Sequence, residues 1–337
     1  MPGFSRSGAV LTGLSLIVEM DNAAFMEWDE VSVCFDALRR ELEEWKSSRP
    51  DAGAEVIFVQ PGDAADAQAL REKVESQVPA LAQLAAMQFR WVPDGRYYDL
   101  KNEGVRSAKG DVVVFYDSDT TPERGWLKAM AEPFDDPGLI GVYGMTTLAY
   151  DDFLSRVYAL YWFFPLRRND DRKAAKRSLN ANNCAFRRDW IAANPFPYHP
   201  GFKVSCSMLW RRILSENIPM VRVDVWVLHR PPRGLDFFVW RALVAGRDQD
   251  RRYAEFRSPN RGKRLGHAFS RLISQMWETA RRTILHHADV GIPAWQAPAA
   301  FLLWSGFVLL TFAGHVGHVL RGGDDRVETV PDAIKVS

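Results

Sequence analysis

The chain has 337 residues, 47% of them hydrophobic, enough for one large packed core with appendages, so disorder is excluded for most of its length. A formal net charge of +1 removes any global electrostatic case for nucleic acid and makes every basic feature a local one. Three cysteines, Cys34, Cys184 and Cys206, lie far apart with no CxxC pair, which gives neither a zinc site nor a disulfide framework and suits a reducing compartment.

In chain order, Arg6 followed by the apolar stretch Gly8 to Val18 has the outline of a short signal peptide. The residues after Val18 continue a regular α/β pattern, so Leu14 to Val18 is read as a first buried strand. Asp29 and Glu30 open a helix whose apolar positions Val31, Cys34, Phe35, Leu38, Leu42 and Trp45 fall on one stripe. EVIFV at Glu55 to Val59 is a second strand, a polar helical region runs from about Ala64 to Ala86, and QFRWV supplies a third strand. Tyr98 to Ala108 is expected to form a short helix ending at Gly110. Next comes DVVVFYDSD, in which Val112 to Tyr116 are apolar on both faces, as in a central strand covered by helices on each side. The alternation predicts an α/β fold with a mostly parallel sheet and helices on both faces.

Asp117 and Asp119 stand where that buried strand emerges, and ligands of open α/β sheets bind at the carboxyl ends of strands. Residues i and i+2 of an extended chain point the same way, so the two carboxylates converge. Hard oxygen ligands of this kind suit Mg²⁺ or Mn²⁺, and such an ion neutralises a diphosphate. By itself the pair also fits an ordinary strand exit capped by Asp.

The wider segment KNEGVRSAKGDVVVFYDSDTTPERGWL resembles the part of family 2 glycosyltransferases in which an Asn-x-Gly helix leads through Ala-x-Gly-Asp into the metal-binding DxD. LSLIVEMDNA resembles the family's first strand and nucleotide loop, NANNCAFRRDW its acceptor-side segment with an Arg-Arg pair, and NIPMVRVDVWVLHRPPRG its late strand ending in His. The resemblance spans roughly Leu14 to Gly246 and implies a GT-A fold and a nucleotide-sugar donor, UDP- or GDP-linked. It also implies roles for single residues. Asp117 and Asp119 would hold Mn²⁺ or Mg²⁺ on the donor diphosphate, with His229 as a further ligand. Glu19 and Asn22 would line the nucleoside pocket, Lys101 and Asn102 would face the base or ribose, and Arg187 and Arg188 would contact substrate.

The family usually takes its catalytic base from an acidic pair at the start of a helix, and here that helix reads VSCSMLWRRILSENIP, with Ser205 and Cys206 in the acidic positions. Other candidates for the base are His199, Asp189, Glu216 or Cys206 itself. An acceptor that is already anionic, such as a polyprenyl phosphate, would need little help from a base, and a non-catalytic nucleotide-sugar-binding protein or assembly partner would need none. The acceptor is therefore expected to be a glycan or a polyprenyl-linked molecule. No nucleic-acid partner is expected, because the Arg-rich stretch lacks interleaved aromatics on a recognisable binding fold. Tyr158, Tyr161, Trp162, Phe163 and Phe164, beside Arg167 and Arg168, suit either a core helix or an acceptor surface near a bilayer.

Between Asp289 and Arg321 there is no Asp, Glu, Lys or Arg, a length sufficient to cross a bilayer, although Pro293, Pro298, His315 and His318 also fit a buried hairpin or re-entrant segment. Arg247 to Arg282 holds ten Lys or Arg against four acids, and Phe269, Ile273, Met276, Trp277, Ala280 and Ile284 recur there at helical spacing. The expected organisation is a GT-A domain over 10–246, a basic amphipathic membrane-surface segment over 247–290, a transmembrane or re-entrant helix over 292–320 and a flexible tail over 321–337. Positive flanks prefer the cytoplasmic side, which would place the catalytic domain on the cytoplasmic face of the inner membrane.

Overall fold

The computed structural model of the chain describes residues 11–166, 179–231, 233–323, 327–331 and 334–335. The leader-like Arg6 and the pair Arg167 and Arg168 lie outside the described residues.

The first half follows the predicted alternation. Strand β1 (Gly13–Glu19) is buried along its whole length. Helix α1 (Trp28–Ser48) buries the stripe Val31, Cys34, Phe35, Leu38, Leu42 and Trp45. Strand β2 (Gly53–Pro61) precedes helix α2 (Ala64–Gln77) and a single turn α3 (Leu81–Leu84), so the helical region expected as one is two. The break falls at Val78, which leaves the helical region because Pro79 comes after it. Strand β3 (Ala86–Val92), helix α4 (Tyr97–Ser107), strand β4 (Val112–Asp117) and the short strand β5 (Thr120–Pro122) complete this half. Gly104 lets α4 lie against β1, since a Cβ there would meet Ile17 Cγ2 at 2.3 Å.

Helix α5 (Trp126–Ala131), strand β6 (Gly141–Leu148) and helix α6 (Phe153–Tyr161) come next, then strand β7 (Cys184–Arg187) and helix α7 (Arg188–Ala193). Helix α8 (Ser205–Ser215) and strand β8 (Met220–His229) close the sheet domain. The eight strands lie in the order β3-β2-β1-β4-β7-β6-β8-β5. Strands β3, β2, β1 and β4 are mutually parallel, β7 is antiparallel to both its neighbours, and β6 is parallel to β8. Only Ser118 and Asp119 separate β4 from β5, yet three strands lie between them in the sheet order. The twisted sheet must curl back on itself at that turn, and the two aspartates sit where it closes.

The described C-terminal residues form three α-helices, α9 (Leu235–Phe256), α10 (Arg261–His286) and α11 (Ala297–Leu320). The boundary expected at 246/247 falls inside α9, because Gly246 is the point at which α11 crosses it. A Cβ on Gly246 would lie 2.0 Å from the carbonyl oxygen of Thr311, and one on Gly314 2.3 Å from that of Leu243. Beside this crossing Asp250 accepts hydrogen bonds from Arg264 and lies 2.6 Å from His318 Nδ1 and 3.4 Å from His315 Nε2. The two histidines of the apolar segment thus join a buried polar knot. Helix α11 is one uninterrupted helix, long and apolar enough to cross a membrane, with one side covered by α9 and α10 and Leu302, Leu309 and Leu320 exposed on the other.

On α10 the apolar stripe faces outward. Met276 packs on the aromatic core of α6 and α11, whereas Phe269, Ile273, Trp277 and Ile284 are exposed, Trp277 by 71% and Ile284 by 75%. Phe269 meets Phe312 of α11 at 4.9 Å between ring centroids, so the exposed apolar surface reaches both helices.

Candidate active site

The turn between β4 and β5 is fixed by backbone and hydroxyl contacts. Ser118 N donates to the Glu19 carbonyl at 3.1 Å and Thr120 Oγ1 to the Asp117 carbonyl at 2.7 Å. Antiparallel pairing of β5 with β8 sets Thr120 opposite His229, which brings a residue more than a hundred positions away beside the aspartates. His229 Nε2 is 3.2 Å from Asp119 Oδ2. Its Nδ1 lies 2.7 Å from the Arg230 carbonyl, which can only accept, so Nδ1 carries the proton and the Nε2 lone pair of the neutral ring is left for a ligand. One ligand atom each from Asp117, Asp119 and His229 lies within 4.8 Å of the others. Two carboxylates and an imidazole are a donor set for a divalent cation, Mn²⁺ or Mg²⁺.

Around this cluster the charges are arranged in pairs. Asp117 Oδ1 receives Lys101 Nζ at 2.6 Å, and its Oδ2 receives the Tyr97 hydroxyl at 2.8 Å and Asn22 Nδ2 at 3.2 Å. Asn22 also reaches Asp119 Oδ1 at 3.3 Å, so one amide spans both carboxylates. Glu19 Oε1 accepts from Asn22 N at 3.0 Å while its Oε2 is buried without a hydrogen-bond partner. Burial first, and the charge of Asp117 second, push the Glu19 carboxyl well above the ordinary range. Burial likewise raises Asp119; a protonated His229 would oppose that shift, and the charge of Asp117 adds to it. Lys203 sits over the Tyr97 ring at 3.0 Å from its centroid, and burial lowers its pKa while the nearby acids oppose that shift.

The cluster opens into a cavity of about 610 Å³. Asn22, Asp117, Asp119 and His229 line one part of it; Trp162, Phe202, Arg241, Asp248, Arg252 and Trp304 line the part that runs toward α9, α10 and α11. The aromatic stretch at the end of α6 and just beyond it is divided between core and cavity. Tyr158 is a buried core residue, and Tyr161, Trp162, Phe163 and Phe164 face the cavity.

Of the other residues singled out by sequence, several lie elsewhere. Lys101 is fully buried against Asp117 instead of facing a base or ribose. Asn102 is occupied by the Phe196 backbone, donating to its carbonyl at 2.9 Å and accepting from its N–H at 3.0 Å. Arg187 points away from the cavity into a turn, donating to the carbonyls of Leu139, Phe134 and Asp136 at 3.1, 2.7 and 2.8 Å. Arg188 pairs with the exposed Asp189 at 2.9 Å. His199 Nδ1 accepts from Gly201 N at 2.8 Å with Nε2 3.4 Å from Glu255, and Glu216 pairs with Arg212 at 2.9 Å at the end of α8. None of Asp189, His199 or Glu216 lines the cavity.

Cys206 does line it, but its Sγ donates to the Leu179 carbonyl at 2.9 Å and burial pushes the thiol up to about 12. A neutral thiol with its proton already placed is no base near neutral pH. Sequence reasoning missed Tyr97, Lys203, Arg241 and Asp248. Tyr97 lies one helical turn before Lys101, a spacing that puts both on one face of α4, whereas Arg241 and Asp248 carry no local signal.

The family model described as glycosyl transferase family 2 matches residues 23–193. No curated protein gives a significant match. Among solved structures, the mannosyltransferase PcManGT from Pyrobaculum calidifontis, in complex with GDP-Man and Mn²⁺, aligns with a TM-score of 0.54 at 15% identity, covering 95% of this chain and 90% of that one. S. aureus TarS in complex with UDP-GlcNAc aligns with a TM-score of 0.46 at 13% identity, covering 95% of both chains. M. tuberculosis glucosyl-3-phosphoglycerate synthase aligns at 0.45 and 16% identity, covering 69% of this chain and 78% of that one. At such identity the likeness to the first of these is one of fold, the GT-A-type sheet with its flanking helices.

Proposed function

Because this chain belongs to glycosyl transferase family 2, we propose that it transfers a sugar from a UDP- or GDP-linked donor to a glycan or lipid-linked acceptor at a membrane surface, in one inverting displacement. The observation that carries this is the Asp117, Asp119 and His229 cluster at one end of a large cavity. A divalent cation held there would neutralise the donor diphosphate and stabilise the departing nucleoside diphosphate. The chain's own residues do the rest. Lys101, Tyr97 and Asn22 hold Asp117 in place, the Arg230 carbonyl fixes the His229 tautomer, and Asn22 is the member of the expected nucleoside pocket that reaches the cavity.

Membrane attachment is assigned to the outward stripe of α10 and the uncovered side of α11, supported by the exposed Phe269, Ile273, Trp277, Ile284 and Leu302 beside the exposed cations Arg261, Lys263 and Arg281. Apolar bodies sink into the headgroup boundary while the cations meet anionic lipid, which would keep the cavity on the cytoplasmic face of the inner membrane.

A non-catalytic nucleotide-sugar-binding protein is the alternative, and Cys206 in the position of the acidic base is the observation that favours it. Calorimetric titration of UDP, GDP and their sugar conjugates into the detergent-solubilised protein, with and without Mn²⁺, tests the donor site. Metal-dependent binding of one nucleotide is expected. Binding without any sugar release or transfer on prolonged incubation with acceptors would favour the alternative, and no nucleotide binding would overturn both.

A further inference from the structure

The cavity has a second end, and its chemistry differs from that of the metal cluster. Arg241 of α9 lines it with a buried Nη1 that has no hydrogen-bond partner. Its guanidinium lies 5.5 Å from the Trp162 ring centroid and 5.4 Å from that of Phe202, and it forms no ion pair with a described residue. Burial lowers the pKa of this cation, with Asp248 offsetting part of the shift. Arg252 of α9 and Arg271 of α10 line the same space, again without an ion pair to a described residue. Burial lowers Arg271 too, and the charge of Arg252 adds to it, so the two cations repel across the void.

The acids nearby are committed elsewhere. Asp248 accepts from the backbone N–H groups of Phe202 and Lys203 at 3.0 and 3.2 Å, and Glu278 is held by Arg281 and Arg282 at 2.7 and 3.2 Å. Three cations gathered on one wall of a cavity, one of them with a buried unpartnered nitrogen and the neighbouring acids already hydrogen-bonded, repel one another unless an anion joins them. Planar guanidinium groups match the oxygens of a phosphate.

We propose that Arg241, Arg252 and Arg271 form an acceptor subsite for the phosphate of a phosphate monoester, with the aromatic wall of Trp162, Phe163, Trp304 and Phe307 holding the chain attached to it. The proposal rests on the glycosyltransferase reading and supplies what that reading lacks. A phosphate monoester has its second pKa near 6, so the attacking oxygen enters ionised at neutral pH. That oxygen forms a bond to the sugar's anomeric carbon as the bond from that carbon to the donor's diphosphate breaks. The electron pair leaves on the nucleoside diphosphate, the product is a sugar phosphodiester, and no proton has to be removed. The absence of a base at Cys206 then costs the reaction nothing. Because the aromatic wall adjoins the helices with exposed apolar faces, a lipid monophosphate fits better than a soluble one.

The test uses the full chain in detergent and three probes, farnesyl phosphate, farnesol and inorganic phosphate, titrated with tryptophan fluorescence as the readout. Farnesyl phosphate is expected to bind about tenfold or more tightly than farnesol, the difference a charge-assisted hydrogen bond supplies. Arg241→Gln and, separately, Arg271→Gln are expected to remove that advantage, Arg241→Lys to restore part of it, and calorimetric affinity for nucleotide with Mn²⁺ to stay at the wild-type value in all three. Inorganic phosphate competing as well as farnesyl phosphate would confirm the subsite with a soluble phosphate as its source. Equal binding of farnesol and farnesyl phosphate, or a wild-type preference in both Gln variants, overturns the proposal. Failure of nucleotide binding in the wild type would instead strike the donor site, and calorimetry reads that independently of the phosphate probes.

Discussion

The ammonium of Lys101 lies 2.6 Å from Asp117 Oδ1, and both side chains are buried. With Tyr97 and Asn22 on the other oxygen, Asp117 is held by three donors, while among the described residues Asp119 has the Asn22 amide and His229 near its oxygens. The two aspartates of one short motif therefore carry different burdens, one structural as well as chemical, the other free to give its oxygen to a cation.

Asp117→Asn should destabilise the fold by about 3–5 kcal/mol, because it leaves the Lys101 charge buried without a counterion. Chemical denaturation gives the value, and Lys101→Met in the Asp117→Asn background should recover much of the loss. A wild-type unfolding midpoint in the single variant would show that the pair does not hold this region.

Asp119→Asn should leave the midpoint within about 1 kcal/mol of wild type and abolish Mn²⁺-dependent nucleotide binding, since a neutral amide replaces an anionic ligand beside His229. Calorimetry with and without Mn²⁺ reads this directly. Undiminished metal-dependent affinity would remove Asp119 from the metal site.

Cys206 should behave as a buried neutral thiol, because burial has raised it to about 12. At pH 8 it should resist iodoacetamide in the native protein and react on unfolding, as should Cys34 and Cys184, which burial also raises. Cys206→Ala should leave the pH dependence of turnover unchanged. A shifted profile would return the thiol to the chemistry.

The packing of α9 on α10 and α11 should weaken in acid. Burial alone would raise the Asp250 carboxyl, but the hydrogen bonds from Arg264, His315 and His318 hold it well below the ordinary carboxylate range. A depressed folded pKa gives stability that is present above the unfolded value of about 3.9 and is lost as pH falls below it. Limited proteolysis of the C-terminal helices with an acid-stable protease, from about pH 5 down to about pH 2, should show the loss setting in, and Asp250→Asn should flatten it. An unchanged acid profile in that variant would dismiss the knot as its cause.

Ile273→Glu with Trp277→Glu should release the protein from anionic vesicles without changing its melting temperature by more than a few degrees, since both side chains are exposed. Vesicle sedimentation measures the release. Wild-type sedimentation of the double variant would show that this face of α10 is not the attachment surface.

The strand that ends in Asp117, the convergence of Asp117 and Asp119, the buried stripe of α1 and the apolar stripe of α10, though not the side it faces, are legible in the amino-acid order. Each obeys a local rule, a period of two along a strand or of 3.6 along a helix, applied to residues close in the chain. The family resemblance pointed to His229, but only the register of β5 with β8 brings its imidazole to Asp119. It took the packed fold to turn Lys101 inward to Asp117, to turn Arg187 away from the cavity, and to open that cavity toward Arg241, Arg252 and Arg271. Those choices depend on how a curled sheet closes and where three later helices cross it, and such contacts between distant residues leave no periodic trace in the chain.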